Sequence, residues 1–179
     1  MAISDLRSYL EVLDAAGRLA RVTRPVSLEH ELADVGAALE RSGAGAGWFA
    51  SVDGSRWPIV SGAVASRAQA ALALECERDE VIDRMEHVLD PANGVPTVAV
   101  TDAPWKANTV TGDDVDIAMV PIPTHSRGDG GAFITGAVTV TKDPVSGRGN
   151  LSYNRMLRLG PRRLGFNVNE WRDVGTFMK

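Results

Sequence analysis

The chain has a single cysteine, Cys76, three histidines and no apolar run long enough to span a bilayer. One thiol excludes an intrachain disulfide and fits a reducing compartment. The N-terminus lacks the basic and apolar segments of a signal peptide, so the expected setting is the cytoplasm, with no membrane partner. A basic excess is also missing. With 19 Lys and Arg against 23 Asp and Glu, the net charge is −4, which argues against general nucleic-acid binding. Arg158, Arg162 and Arg163 form a local exception. The glycine-rich run Ser42-Gly43-Ala44-Gly45-Ala46-Gly47 lacks the Lys-Ser/Thr ending of a phosphate loop and reads as a flexible connection. Asp113-Asp114-Val115-Asp116 lacks calcium-loop spacing and reads as a solvated turn.

What remains is ordinary globular material. Of 179 residues, 44% are apolar and 23% charged, enough to bury a core in one domain or two small ones. Ser4 is a plausible N-cap for a first helix, in which Leu6, Leu10 and Leu13 recur at helical spacing up to Gly17. Leu19 to Val22 is short and ends before Pro25. A second helix is predicted from about Leu28 to Ser42, with Leu32, Val35 and Leu39 on one stripe. Trp48 to Ala50 and Pro58 to Val64 are strand candidates, and helices are expected over Ser66 to Leu74 and Asp79 to Leu89. Strands alternating with helices predict an α/β layer.

The texture changes near residues 91 to 115. Pro91, Asn93-Gly94, Pro96 and Pro104 leave little room for a helix, and Val98 to Thr101 and Asn108 to Thr111 look extended. Val120 to Pro123 is stiff, and His125 follows it as a lone histidine, more often a surface or capping residue than a ligand. Ala132 to Lys142, the turn Asp143 to Gly147 and the run from Gly149 to Met156 read as a hairpin. Leu164 to Val168 is a further strand candidate. The expected division is therefore 1–115 and 116–179.

The run Gly149-Asn150-Leu151-Ser152-Tyr153-Asn154-Arg155-Met156 alternates polar and apolar residues. On a continuous strand Asn150, Ser152 and Asn154 share one face, and Leu151, Tyr153, Arg155 and Leu157 the other. A guanidinium among apolar side chains needs an anionic partner or ligand if that face is buried. The pattern equally suits an edge strand in solvent.

Several blocks together resemble the UbiD-type decarboxylases. They are Asp5-Leu6-Arg7 through Gly17-Arg18-Leu19, Pro121 to His125 with Asp129 to Gly136, Lys142-Asp143-Pro144 through Asn150, Ser152 to Met156, and Gly160 to Gly165. The resemblance implies an α+β fold: a small N-terminal α/β domain followed by part of a split β-barrel that binds flavin. It implies prenylated FMN, supplied by a flavin prenyltransferase, and a divalent metal (manganese or magnesium), with potassium as a further ion. It further implies reversible non-oxidative decarboxylation of an aromatic or α,β-unsaturated carboxylic acid.

By the same resemblance Asn150 corresponds to a metal ligand, and Arg155 to the arginine of the catalytic network beside the cofactor and substrate carboxylate. Thr135 and Ser152 correspond to positions lining the cofactor. These types suit the chemistry, since an amide oxygen serves a hard cation and a guanidinium grips a carboxylate at two points. The sequence departs from the family pattern where a histidine ligand is common. It reads Glu170-Trp171-Arg172-Asp173 there, so Asp173 or Glu170 could replace the histidine, and Arg172 could contact the cofactor phosphate. The family's catalytic glutamates fall beyond Lys179. The chain is therefore expected to be the N-terminal part or a split subunit of such an enzyme, working as a homo-oligomer or with a partner subunit. The alternative is a non-catalytic flavin-binding or assembly subunit. If Asn150 and Arg155 serve one site from opposite strand faces, a twist or bulge, or an ion reached from the strand edge, must join them.

Overall fold

The computed structural model describes residues 3–96 and 98–178. Its first half is built on a three-stranded sheet, β1 (Leu19–Val22), β2 (Ala46–Phe49) and β3 (Ile59–Ser61), in that order. β1 and β2 run parallel and β3 is antiparallel to β2. The strands keep a strict two-residue period. Leu19, Ala46, Trp48 and Val60 pack with Tyr9, Leu10 and Leu13 of α1 (Leu6–Ala15). On the other face Val22, Phe49 and Ile59 pack with Leu32, Val35 and Leu39 of α2 (Glu31–Ser42). Phe49 and Leu13 are fully buried, each contributing about 1.5–3 kcal/mol of apolar transfer.

Local chemistry refines the expected boundaries. The N-cap of α1 is Asp5, not Ser4: the Asp5 carboxylate accepts the Ser8 amide at 2.8 Å, and Ser8 Oγ accepts the Asp5 amide at 3.1 Å. α2 starts at Glu31 rather than Leu28, because Leu28 O and His30 N bond Thr124 instead and His30 has a left-handed φ of 68. The run 42–47 is not wholly a connection, since its last two residues begin β2. Gly45 sits at φ +92, and a Cβ there would meet Arg18 O at 2.2 Å, so the close approach of β1 and β2 needs glycine. α3 (Arg67–Leu74) is capped by Ser66, and α4 (Val81–Leu89) follows. Tyr9 Oη donates to Ala63 O (2.8 Å) and Gln69 O (2.9 Å), tying α1 to α3, while the buried Gln69 amide donates to Gly62 O at 2.8 Å.

From Pro91 to Met119 the chain forms four single 3-10 turns, and the segments expected as extended carry no strand pairing among the described residues. The acidic run is a solvated turn. Asp113 pairs with Arg162 at 2.9 Å, and Asp116 caps the next turn through the Ala118 amide.

Two further sheets make up the second half. β4 (Phe133–Ile134), β7 (Met156–Gly160) and β8 (Arg163–Phe166) form one, ordered β4-β7-β8; β5 (Val138–Lys142) and β6 (Gly149–Tyr153) form a two-stranded hairpin. The predicted strand 132–142 is therefore broken at 135–137, and the predicted strand 149–156 at Asn154-Arg155. In both places the chain leaves one sheet and enters another. The short α5 (Asp173–Phe177) packs against β5, and Arg148 holds it by an ion pair to Asp173 at 3.2 Å. The fold is mixed α and β, and the strands form no closed barrel among the described residues.

The two halves are joined by backbone. Residues 122–124 lie between the start of α2 and β4: Thr124 N donates to Leu28 O (3.0 Å), His30 N to Thr124 O (2.9 Å), and Phe133 N to Pro123 O (3.1 Å). β4 in turn pairs with β7, Phe133 opposite Leu157 and Ile134 opposite Met156.

Candidate functional site

Two cavities open on the second half, and the expected site residues divide between them. The first, about 620 Å³, is lined by Asn150, Ser152, Asn154, Asn167, Asn169 and Arg172, with Asp173 and Val174 of α5. The second, about 680 Å³, holds Thr135 and Arg155 with His125, Asp129, Phe133, Leu157, Phe166 and Asn167. Asn167 lines both. The structure thus groups Asn150, Ser152 and Arg172, and separately Thr135 and Arg155.

The hairpin explains the first grouping. Asn150 and Ser152 alternate with Leu151 and Tyr153 on β6 and share its half-buried face, and all four residues border the cavity with the 167–174 segment. There the polar side chains partly satisfy one another. Asn154 Nδ2 donates to Ser152 Oγ at 2.7 Å and to Thr139 Oγ1 at 3.1 Å, and Asn150 Nδ2 contacts Thr141 Oγ1 at 3.5 Å. The amide oxygen of Asn150 accepts no hydrogen bond among the described residues. An amide-rich cavity edged by one guanidinium is suited to an oxyanion such as a phosphate.

The break at Asn154-Arg155 explains the second grouping. Continuous alternation would have kept Arg155 beside Leu151 and Tyr153. Instead β6 ends at Tyr153, and Arg155 leads into β7, which carries it to the cavity beside β4. The expected twist or bulge is in fact a change of sheet. The cavity lining combines an apolar part, Phe133, Leu157 and Phe166, with polar side chains. Neither the Thr135 hydroxyl nor the Arg155 guanidinium has a hydrogen-bond or ion-pair partner among the described residues. Asp129 is committed in part to its own turn, where its carboxylate accepts the Ser126 amide at 2.9 Å.

These donor sets fit a flavin. A flat ring matches the apolar part of that lining together with Thr135 and Arg155, and a phosphate matches the amides and Arg172. For a divalent cation the fit is partial. Such an ion wants about six oxygens, whereas no group of three or more His, Cys, Asp or Glu gathers among the described residues. Asn150 offers one neutral oxygen, and Asp173 is already paired with Arg148.

His125, Asn167 and Asn169 were not singled out as site residues from sequence. The alternation Asn167-Val168-Asn169 just past β8 is the signal that could have revealed two of them. His125 gave none, because its place depends on which strands flank it.

Comparison with known proteins decides the family. Residues 10–89 match the N-terminal domain of 3-octaprenyl-4-hydroxybenzoate carboxy-lyase, and residues 97–179 match the Rift-related domain of the same family. The chain belongs to the UbiD family. A phenolic acid decarboxylase of Streptomyces sp. (strain D7) is 33% identical over 93% of the chain and 38% of the relative. An evolved dimeric form of the UbiD-class enzyme HmfF from Pelotomaculum thermopropionicum, in complex with prFMN, superposes with a TM-score of 0.86 at 31% identity, over 96% of this chain and 40% of that one. Vanillic acid decarboxylase of Sedimentibacter hydroxybenzoicus shares the fold, with a TM-score of 0.84 at 23% identity over 99% of this chain and 39% of that one. The UbiD-family chain therefore spans about two fifths of the length of the relatives it matches. Among the described residues no helix is long and apolar enough to cross a membrane.

Proposed function

We propose that this chain supplies the flavin-holding wall of a UbiD-type carboxy-lyase that reversibly decarboxylates an aromatic or α,β-unsaturated carboxylic acid. The observation that carries this reading is the second cavity, where two unpartnered polar groups, Thr135 and Arg155, share the lining with apolar side chains. Bound prenylated FMN would supply the electron sink for the bonding pair left on the substrate carbon as CO2 departs. Arg155 would hold the substrate carboxylate in two-point geometry against it. Thr135 would contact the ring system, while Ser152 and Arg172 would hold the phosphate. A manganese or magnesium ion would take the Asn150 amide oxygen as one ligand, with its remaining ligands from outside this chain; a potassium ion would be held in the same way.

In this reading residues 1–115 are the scaffold and 116–179 the cofactor-bearing part. The setting is cytoplasmic, the cofactor comes from a flavin prenyltransferase, and the working unit is an oligomer or a complex with a second polypeptide. Neither cavity is lined by a glutamate. General acid catalysis needs a positioned acid; the glutamates that the family resemblance implies for it would come from the partner, while Asp129 and Asp173 are engaged by the Ser126 amide and by Arg148. The same observation favours a second reading, a flavin-binding or assembly subunit without turnover.

Coexpression with a flavin prenyltransferase and a polypeptide matching the remaining length of the relatives separates the two. Release of CO2 from an aromatic acid that Arg155→Ala abolishes, with flavin absorbance retained, supports the enzyme. Flavin binding without turnover supports the subunit. Full activity in Arg155→Ala removes this arginine from the chemistry.

A further inference from the structure

A third recess, about 290 Å³, lies between the two halves of the chain. Leu32, Ile59 and Ser61 wall it from the α/β layer, and Ile122 and Ile134 from the other side. Its remaining boundary includes His125, Phe133 and Thr135, which also line the cavity holding Arg155. These three side chains are the partition between a large cavity and a small one. Among them His125 is the group that can both donate and accept a hydrogen bond in its neutral form. Neither of its ring nitrogens has a hydrogen-bond partner among the described residues, and the side chain is half-buried.

Backbone rather than side-chain contacts fix this position. Thr124 is bonded to Leu28 and His30, and Pro123 O accepts from Phe133 N, so the chain enters His125 from a short segment held on both sides. The first of these sides is itself strained. His30 sits at φ +68, with the Glu31 amide donating to Glu29 O at 2.8 Å, a tight turn that a non-glycine residue rarely adopts. Strain of this kind persists where the surroundings over-determine it, and it clusters beside binding sites. Here it seats the α/β layer against the segment that presents His125.

We propose that His125 reads a polar ring substituent, a phenolic hydroxyl, on the aromatic acid, with the recess behind it receiving that end of the ring. The inference rests on the larger cavity being the flavin and aromatic-acid site. Arg155 takes the carboxylate and His125 the hydroxyl, one charged and one neutral contact on the same ligand. The recess walls near the hydroxyl are mainly aliphatic, so a ring lacking it forgoes the bond and a ring bearing it needs the imidazole. The α/β layer then becomes part of the selectivity device through Leu32 and Ile59, beyond its role as scaffold. Asp129 and Arg155 are the ionisable groups that share the larger cavity with His125, and none lines the recess on the α/β side.

The sequence suits a direct test, because its three histidines, His30, His87 and His125, give three ring Cε1–H signals. The FMN-loaded chain is titrated with 4-hydroxybenzoate and with benzoate, and the His125→Gln spectrum assigns the His125 signal. The expected result is a His125 shift with 4-hydroxybenzoate that benzoate does not match, while His30 and His87 stay in place. His125→Gln should cut the preference for the hydroxylated acid about five- to tenfold, the worth of one hydrogen bond. Ile134→Phe, which adds bulk to a side chain lining the recess and not the larger cavity, should reduce it as well. Unchanged preference in both variants, with FMN still bound, overturns the role of His125 and leaves the flavin reading standing. A chain that binds neither FMN nor either acid overturns both.

Discussion

The two sheet regions of this chain treat their apolar residues in opposite ways. In the N-terminal sheet the alternation points inward on both faces, because helices cover both: Trp48 and Val60 meet α1, and Phe49 and Ile59 meet α2. In the β5–β6 hairpin the same two-residue period is inverted. Thr139, Thr141, Asn150 and Ser152 are half-buried beside α5, whereas Val140, Leu151 and Tyr153 are 75%, 70% and 79% exposed. A patterned strand buries whichever face finds a neighbour. The first sheet stabilises itself, and the hairpin turns its polar face to a cavity and leaves its apolar face uncovered.

Substitutions on the two sheets should therefore differ in kind. Phe49→Ala removes a fully buried ring between β2 and α2 and should cost about 3–5 kcal/mol in denaturant unfolding. A cost below 1 kcal/mol would mean that the first sheet is not the stabilising core. Tyr9→Phe keeps the packing but strips the donor from Ala63 O and Gln69 O, and the expected loss is about 1–3 kcal/mol. Tyr153→Ser should change the stability of the isolated chain by less than about 0.5 kcal/mol, since its side chain is already in solvent. Its effect should appear instead as reduced self-association in sedimentation. A large stability loss would show that the hairpin face is covered after all.

The smallest effect belongs to the hairpin turn. The Ser146 hydroxyl and, after it, the Val145 amide hydrogen-bond the Asp143 carboxylate and hold its pKa below the usual aspartate value. With a lowered folded pKa, the turn's stabilisation is complete above the ordinary aspartate range near pH ~4 and is lost as pH falls through the lowered value. Amide shifts of Val145 and Ser146 followed against pH should move below that range. A midpoint at the ordinary aspartate value would show that the carboxylate is not held.

Much of the architecture was legible because local patterns and tertiary burial agree. Leu10 and Leu13 of the α1 stripe are buried, the helix expected over Ser66 to Leu74 forms over Arg67–Leu74, and the turn at 143–147 joins β5 to β6 as its residues suggest. The errors fall where a strand-like run changes partner. Both 132–142 and 149–156 read as single strands, yet each breaks where the chain crosses between sheets. No local propensity marks a crossing, since it is set by which hydrogen-bonding edges are free. The candidate site suffers most from this. Asn150, Ser152, Thr135, Arg155 and Arg172 were named through family resemblance, but their division between two cavities was not visible in one dimension.

The sequence by itself therefore determined the periodic elements, the turn at Asp143 to Gly147 and the residue types that make flavin and carboxylate chemistry plausible. These depend on neighbours a few residues away, and helical and strand periods report them directly. The tertiary structure alone decided that Arg155 leaves the hairpin, that Asn167 stands between two cavities and that His125 looks into both the large cavity and the recess. Those facts rest on backbone pairing between residues about a hundred positions apart, as between His30 and Thr124. Such pairing is settled by the competition of strand edges for partners, a property of the folded chain as a whole.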